Sequence, residues 1–166
     1  MGSSQIQHVF VLMLENRSFD HVLGFPDFGT DASTGIATKI NGLSGTESNT
    51  FNGQNVSGFA RAPERMPADP GHEFSNVLVQ LCGKGASYPR GGIYPAINNS
   101  GYVASYVGSG GGSSPGVLMH CYSPTQIPVW HALATEFVVC DNWHASMPGP
   151  TWPNRMFAGR SFFGWA

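Results

Sequence analysis

Thr151 stands where a hydroxyl group could meet a bound anion. It follows the turn Met147–Pro150 and precedes Pro153, and proline is favoured in the first turn of a helix because its missing N–H costs nothing there. The spacing predicts a helix that begins at or beside Thr151, with free backbone N–H groups and the positive end of the helix dipole next to its side chain. Such a position attracts oxyanions such as phosphate. Thr151 is therefore either a simple helix cap or a nucleophile held beside a phosphoryl group.

A hydroxyl is a weak nucleophile until a base or a metal ion activates it, so other elements must bring further polar groups to Thr151. The apolar run His8–Leu14 predicts a central strand buried on both faces, as in a parallel sheet covered by helices. Glu15 and Asn16 follow directly. They stand at the carboxyl end of that strand, which is where ligands bind in open α/β sheets.

Apolar spacing and capping residues predict the remaining elements. A short helix is expected over Ser18–Leu23, closed by Gly24, and a second helix runs from Phe74 to about residue 83. Helical spacing returns over residues 127–137, and the strand Val138–Asp141 follows. The order strand, helix, helix, strand favours an α/β layer architecture.

Two long stretches are predicted to be loop-rich excursions within a single domain of residues 1–166. They cover residues 26–70 and 85–122, which are rich in Gly, Ser, Thr and Asn and show no sustained period. Short strands are expected at Gly35–Ile40 and Phe51–Val56. The segment Gly108–Gly116 has the composition of a flexible linker.

Composition excludes several classes of function. Charged residues make up 11% of the chain and the net charge is −2, so neither a nucleic-acid-binding surface nor a basic membrane patch is expected. The longest apolar run, Val9–Leu14, is far too short for a transmembrane segment, and the N-terminus lacks the pattern of a signal peptide. The three cysteines form no C-x-x-C motif, and a Cys82–Cys121 pairing stays open.

Two long blocks of sequence resemble a known family. The first block follows the apolar run: Glu15-Asn16-Arg17-Ser18-Phe19-Asp20-His21. The second runs from Leu133 through Cys140-Asp141 to Gly149-Pro150-Thr151-Trp152-Pro153-Asn154-Arg155. Together they resemble the two signatures of the bacterial phospholipase C/acid phosphatase phosphoesterase family, and Asp69-x-x-His72 resembles a weaker intermediate motif of the same family.

The resemblance implies an alkaline-phosphatase-like α/β fold, with a central, mostly parallel sheet and helices on both faces. It implies hydrolysis of phosphate esters, often phospholipid head groups. By the same analogy, Glu15 and Asn16 ligate a divalent metal ion, for which carboxylate and amide oxygens are suitable hard ligands. Thr151 is then the catalytic nucleophile. Asn154, one helical turn further on, is expected to donate a hydrogen bond to a phosphoryl oxygen.

The remaining polar residues of these motifs have weaker expected roles. His72 is either a site contact or a hydrogen-bonding residue at the start of its helix, and His144 is close enough in sequence to Thr151 to approach the site. Arg17, Asp20 and His21 are expected to support the first motif structurally rather than to contact substrate.

The resemblance also leads us to expect an incomplete domain. Family members are much longer and carry further acidic ligands beyond the nucleophile, whereas no acidic residue follows Asp141 here. We therefore expect an N-terminal part whose C-terminal part, including some sheet strands, is missing. Two alternatives stay open: a catalytically inactive phosphate-ester-binding fragment or degenerate homologue, and a sulfatase-like hydrolase. Family members suggest a secreted or periplasmic location, and the oligomeric state is not predicted.

Overall fold

The computed structural model describes residues 7–14, 17–25, 35, 39–57 and 61–162, with side chains as far as Gly159. Helices dominate these residues, and a small hairpin accompanies them. The elements are α1 (Phe19–Leu23), β1 (Asn49–Phe51), β2 (Gln54–Val56), α2 (Phe74–Cys82), α3 (Tyr102–Gly108), two 3₁₀ turns (Gly111–Ser113 and Pro115–Met119), α4 (Pro128–Glu136) and α5 (Thr151–Phe162).

Helix α3 lies at the centre of the core. Its Val103 is fully buried and its Tyr106 is only 1% exposed. The helix contacts α2, strand β1 and both 3₁₀ turns, so one short helix joins most of the packed body. Gly111 lies directly against the Tyr106 ring, where a Cβ atom would collide with the ring carbons. The Gly-rich segment predicted to be a flexible linker is therefore ordered packing, and that prediction is wrong.

Close backbone approach holds α2 against α3. A Cβ atom on Gly101 would collide with the carbonyl oxygen of Val79, so only glycine lets the two backbones come this near. The Gln80 side chain, on α2, donates hydrogen bonds to the Ser105 hydroxyl (3.2 Å) and to the Gly71 carbonyl oxygen (2.6 Å). The Gln80 amide is thus paired inside the contact, as burial of a polar group requires.

The hairpin owes its geometry to an Asn-Gly turn. Strands β1 and β2 pair antiparallel, with Phe51 opposite Gln54 and Asn49 opposite Val56. Asn52 and Gly53 both have positive φ (50° and 76°), which is the geometry of the two-residue turns that suit the twist of a hairpin. The strand predicted over Phe51–Val56 is therefore two short strands with the turn between them. The strand predicted at Gly35–Ile40 falls mostly outside the described residues.

A buried asparagine connects the hairpin to the core helix. Asn49 is 5% exposed, and its Oδ1 accepts a hydrogen bond from the Val103 N–H at 3.2 Å. Its Nδ2 donates to the Asn99 carbonyl oxygen at 3.1 Å. Because Gly101, the residue that caps α3, has no side chain, Asn49 supplies from outside the helix the acceptor that a capping residue normally provides.

The predicted helices are present. Helix α1 has Ser18 as its N-cap and Gly24 as its C-cap. Helices α2 and α4 lie within the predicted segments, and α5 begins at Thr151 with Pro153 in its first turn.

The two predicted buried strands are wrong for these residues. His8–Leu14 and Val138–Asp141 form no strand, and Phe10 and Val138 are 94% and 91% exposed. A strand must pair its N–H and C=O groups with a neighbouring strand, and within the part of the chain that the structure describes neither run has one.

The fold class is therefore supported only in its coarse form. Mixed helices and a two-stranded antiparallel sheet are compatible with a piece of an α/β domain, but the parallel sheet is not seen among the described residues. None of the described helices has the length and apolar composition needed to cross a bilayer. The three cysteines are free, so Cys82 and Cys121 are not paired.

Replacing Asn49 by alanine should destabilise the fold by about 2 kcal/mol or more, because the Val103 N–H and the Asn99 carbonyl oxygen lose a buried partner. Urea unfolding measures this change. Asn55→Ala, an exposed change on the same hairpin, is the matched control and should stay within about 0.5 kcal/mol. Equal losses in the two variants would contradict the capping role of Asn49.

The Cys121 thiol should resist alkylation. Burial raises the pKa of this thiol to about 11, and the nearby Asp20 and Glu47 carboxylates add to the rise. At pH 8 about one molecule in a thousand would then carry the reactive thiolate at Cys121. Iodoacetamide labelling followed by mass spectrometry should therefore modify the exposed Cys140 long before Cys121. Labelling of Cys121 at a comparable rate would show that its thiol is neither buried nor kept protonated.

Candidate functional site

Residues from distant parts of the sequence line one open cavity of about 310 Å³. It is formed by the end of the N-terminal apolar run, a residue two positions before α2, the loop between α4 and α5, and the first five residues of α5. The lining residues are Met13, Leu14, His72, Trp143, His144, Ala145, Ser146, Gly149, Thr151, Asn154 and Arg155. The four residues Thr151, Asn154, His72 and His144, expected at the site from sequence, are all in this set.

Thr151 is the first residue of the twelve-residue helix α5 and lines the cavity. The backbone N–H groups of the first helical turn have no partners inside the helix, and the positive end of the helix dipole lies there. Pro153 has no N–H group, so the first turn of α5 has one such donor fewer. The Thr151 hydroxyl makes no hydrogen bond with the residues that the structure describes. The prediction that Thr151 lies at the start of a helix is therefore confirmed.

Asn154 lines the cavity, but its side-chain amide is bonded to the loop before the helix. Its Oδ1 accepts a hydrogen bond from the Met147 N–H at 3.1 Å, and its Nδ2 donates to the Met147 carbonyl oxygen at 3.0 Å. The carbonyl oxygens of Gly149 and Pro150 lie at 3.3 and 3.2 Å from the same Nδ2. The side chain therefore holds the loop that leads into Thr151.

Two imidazoles reach the cavity from different directions. His72 lies two residues before α2, and its Nδ1 faces the Pro70 carbonyl oxygen at 3.3 Å and a carboxylate oxygen of Asp69 at 4.0 Å. If Nδ1–H donates to that carbonyl, Nε2 is left as the ring's acceptor. His144 is exposed in the loop after α4. The ring of His72 therefore faces Pro70 and Asp69, whereas the start of α2 is capped by Glu73 and Asn76. The role of His72 as a site contact stays a prediction.

The loop that carries His144 is fastened at its other end by polar contacts. The Asp141 carboxylate accepts hydrogen bonds from the Asn41 N–H at 2.6 Å and from the Asn142 side chain at 3.0 Å. The Asn41 side chain also donates to the Asn142 side-chain oxygen at 3.1 Å. In the structure, the Asp141 carboxylate therefore holds this end of the loop.

Arg155 is a cavity residue to which sequence analysis gave no role. Its guanidinium donates a hydrogen bond to the Met13 carbonyl oxygen at 3.2 Å, which ties α5 to the N-terminal apolar run. The signal was available, because a residue four positions after Thr151 lies on the same face of a helix. Trp143 was also missed. It lines the cavity while remaining 70% exposed.

The predicted metal ligands Glu15 and Asn16 lie outside the described residues. In the sequence they follow Leu14, which lines the cavity. Among the residues that the structure does describe, no group of three His, Cys, Asp or Glu side chains could hold a metal ion. The described lining offers two imidazoles, two hydroxyls and an amide, and a hard divalent ion prefers about six oxygen ligands. These donors alone do not fit such an ion.

The other residues of the first motif hold α1 in place. The His21 ring bonds the Ser18 hydroxyl through Nδ1 and the Leu118 carbonyl oxygen through Nε2, both at 2.8 Å. Because a carbonyl only accepts, Nε2 carries the proton. The Arg17 guanidinium donates to the Tyr122 hydroxyl at 3.3 Å.

Asp20, in the first turn of α1, acts on the residues around it through its charge. Burial is the main reason that the pKa values of Tyr102 and Cys121 are raised, and the negative charge of Asp20 raises both further. Arg17 and His21 thus have hydrogen-bond partners, and Asp20 acts through its charge. Their supporting role in the motif stays a prediction. None of the three is among the cavity-lining residues.

Comparison with known proteins identifies relatives along almost the whole chain. The sequence model of the Phosphoesterase family matches residues 6–162. Non-specific phospholipase C6 of Arabidopsis thaliana is 38% identical over 155 residues, covering 93% of this chain and 27% of the relative. Phospholipase C A of Mycobacterium tuberculosis is 28% identical, covering 93% of this chain and 29% of the relative.

A third relative extends the same pattern. Hemolytic phospholipase C of Pseudomonas aeruginosa is 29% identical over 163 residues, covering 92% of this chain and 18% of the relative. The chain thus spans less than a third of the length of these curated relatives.

Proposed function

Because the chain belongs to the Phosphoesterase family, we propose that its cavity is part of the active site of a phosphate-ester hydrolase of the phospholipase C type. The observation that supports this most is the convergence of Thr151, His72 and His144 on one cavity at the start of a helix. These residues are separated by up to 79 positions in the sequence, and both the second block and the intermediate motif that contains His72 contribute to the lining.

The substrate we propose is a phosphate ester, including the head group of a phospholipid. The helix start and the nearby Arg155 guanidinium favour an anionic group, and guanidinium binds phosphate oxygens well. A cavity of about 310 Å³ has the size of a small-molecule site and could hold a head group but not a whole lipid. Several relatives are named as phospholipases C, and a secreted or periplasmic location belongs to the same proposal.

We propose Thr151 as the nucleophile. Its Oγ1 attacks phosphorus, the bond from phosphorus to the ester oxygen breaks, and a phosphothreonine forms. An imidazole of His72 or His144 takes the hydroxyl proton or gives a proton to the departing alcohol, which are the usual tasks of histidine near neutral pH. Water then attacks phosphorus, the bond between phosphorus and Oγ1 breaks, and free Thr151 returns. The N–H groups of the helix start stabilise the negative charge throughout.

Glu15 and Asn16 are proposed as two of the ligands of a divalent metal ion. The proposal rests on the family resemblance and on their position directly after Leu14, a lining residue. Such an ion, when bound, would stabilise the ionised hydroxyl and polarise the phosphoryl group. Two ligands are too few for a hard ion, so the proposal requires further oxygen ligands besides this pair.

A second candidate function is phosphate-ester binding without turnover. It is favoured by one observation: among the described residues, no carboxylate lines the cavity. The helix start and Arg155 would still bind an anion in that case. Saturable binding of a phosphate ester without any hydrolysis, with a divalent ion in excess, would support this alternative.

In a protein that carries this chain, replacing Thr151 by alanine should lower the rate of phosphate-ester hydrolysis about 10³-fold or more, because the attacking oxygen is removed. Phosphate release from a phosphodiester substrate measures the loss. Thr151→Ser keeps a hydroxyl and should retain part of the activity. Thr135→Ala, an exposed change in α4, is the matched control and should leave the rate unchanged. Full activity in Thr151→Ala would rule out Thr151 as the nucleophile.

Removing divalent ions with a chelator should stop hydrolysis, and returning the ion should restore it. Glu15→Gln should raise the ion concentration needed for half-maximal activity, and the dissociation constant found by direct titration, by about tenfold or more. The conservative change at the exposed Glu64, Glu64→Gln, should alter neither value. Ion affinity that is the same in Glu15→Gln and the unmodified protein would remove Glu15 from the ligand set.

A further inference from the structure

We propose that Asn154 is a positioning residue, which fixes Thr151 by holding the loop before it instead of binding the phosphoryl group itself. The inference deepens the proposed function, since it concerns the placement of the proposed nucleophile. It also departs from the role expected from sequence, in which the Asn154 amide donates to a phosphoryl oxygen. The hydrogen-bonding groups of the loop Met147–Pro150 explain why an amide is needed at position 154.

This loop has more hydrogen-bond acceptors than donors. Pro148 and Pro150 have no N–H group, so its four residues carry four carbonyl oxygens and only two N–H groups. Such a backbone cannot satisfy its own polar groups, and it needs a donor from outside. A side-chain NH₂ group provides two donor hydrogens from a single atom.

Asn154 matches this need at both ends of its amide. Its Oδ1 accepts from the Met147 N–H, and its Nδ2 donates to the Met147 carbonyl oxygen, so one side chain pairs with both polar groups of one residue. The same Nδ2 lies within 3.3 Å of the carbonyl oxygens of Gly149 and Pro150. An aspartate could accept but not donate, and a leucine could do neither. The arrangement therefore specifies an amide.

The same contacts leave little of the amide for a substrate. Nδ2 has two hydrogens and already faces three carbonyl oxygens, while Oδ1 is an acceptor and would repel a phosphoryl oxygen. The contacts from Asn154 to Met147, Gly149 and Pro150, here called the clamp, instead control how the chain enters α5. Thr151 follows Pro150 directly, and Asn154 lies one turn further along the same helix. The hydrogen bond from the Asn154 amide to the Pro150 carbonyl oxygen therefore spans Thr151 and fixes the start of the helix.

Backbone hydrogen exchange tests the clamp without reference to activity. In Asn154→Ala, the peptide covering residues 143–157 should exchange about five to ten times faster at the Met147 amide, because its acceptor is gone. Peptides from α2 and α3 should be unchanged, which shows that the fold is intact. Gln126→Ala removes a similar amide that bonds Ala62 and Ser123, and it should leave residues 143–157 unaffected. Unchanged exchange at Met147 in Asn154→Ala would overturn the clamp.

Kinetics then separates positioning from phosphoryl binding. If Asn154 acts by positioning, Asn154→Ala should lower kcat about tenfold to a hundredfold, since a displacement near 1 Å can cost that much. The inhibition constant of inorganic phosphate should stay within about twofold, because the amide does not contact the anion. A large rise in that constant with little change in kcat would overturn the proposal and assign Asn154 to the phosphoryl group.

The two experiments distinguish a failure of the proposed function from a failure of the clamp. If the unmodified protein hydrolyses no phosphate ester, the proposed function fails, and hydrogen exchange alone still decides whether Asn154 clamps the loop. If exchange at Met147 is unchanged while hydrolysis is normal, the function stands and the clamp is rejected.

Discussion

The candidate site depends on how an acceptor-rich turn satisfies its backbone. Prolines at 148 and 150 stiffen the loop before α5 but remove the N–H groups that would bond its carbonyl oxygens. The Asn154 amide meets those carbonyls from the helix that the loop introduces. The position of Thr151, and with it the floor of the cavity, follows from this arrangement. Asn49 does comparable work at α3, where it supplies the cap that Gly101 cannot. In both places an asparagine side chain fixes where a helix begins, from the distant hairpin at α3 and from within the helix itself at α5.

The packed body and the cavity are built by different means. The body around α3 relies on burial, with Val103 and Tyr106 almost completely hidden and glycines admitting close backbone contact. The cavity has few buried side chains and is held by single polar contacts, including the hydrogen bond from Arg155 to the Met13 carbonyl oxygen. Local opening costs least where buried apolar contacts are few. Rearrangement on ligand binding would therefore be concentrated at the cavity, while the body keeps its form.

Sequence analysis succeeded where local chemistry decides the outcome. Capping residues and apolar spacing located α1, α2 and α5, and the spacing around Thr151 identified a helix start that does line a cavity. It failed for His8–Leu14, because an apolar run becomes a strand only when neighbouring strands exist to pair with it. It failed for Gly108–Gly116, because composition cannot distinguish a linker from glycines that make room for a tyrosine ring. Helical spacing from Thr151 could have placed Arg155 at the cavity, but its contact with the Met13 carbonyl oxygen, 142 positions away, could not be predicted from sequence.

The exposed apolar run carries a practical consequence for anyone who handles this chain. Val9, Phe10 and Leu12 are each at least 75% exposed, in the segment Val9–Leu14, which has no charged residue and pairs with no strand among the described residues. Short, uncharged stretches of this kind are templates for strand-to-strand association between molecules. These residues therefore favour self-association of the purified chain. The run Val9–Leu14 therefore affects the concentration at which the chain can be handled. It also affects chaperone binding during synthesis and the choice of a fusion partner.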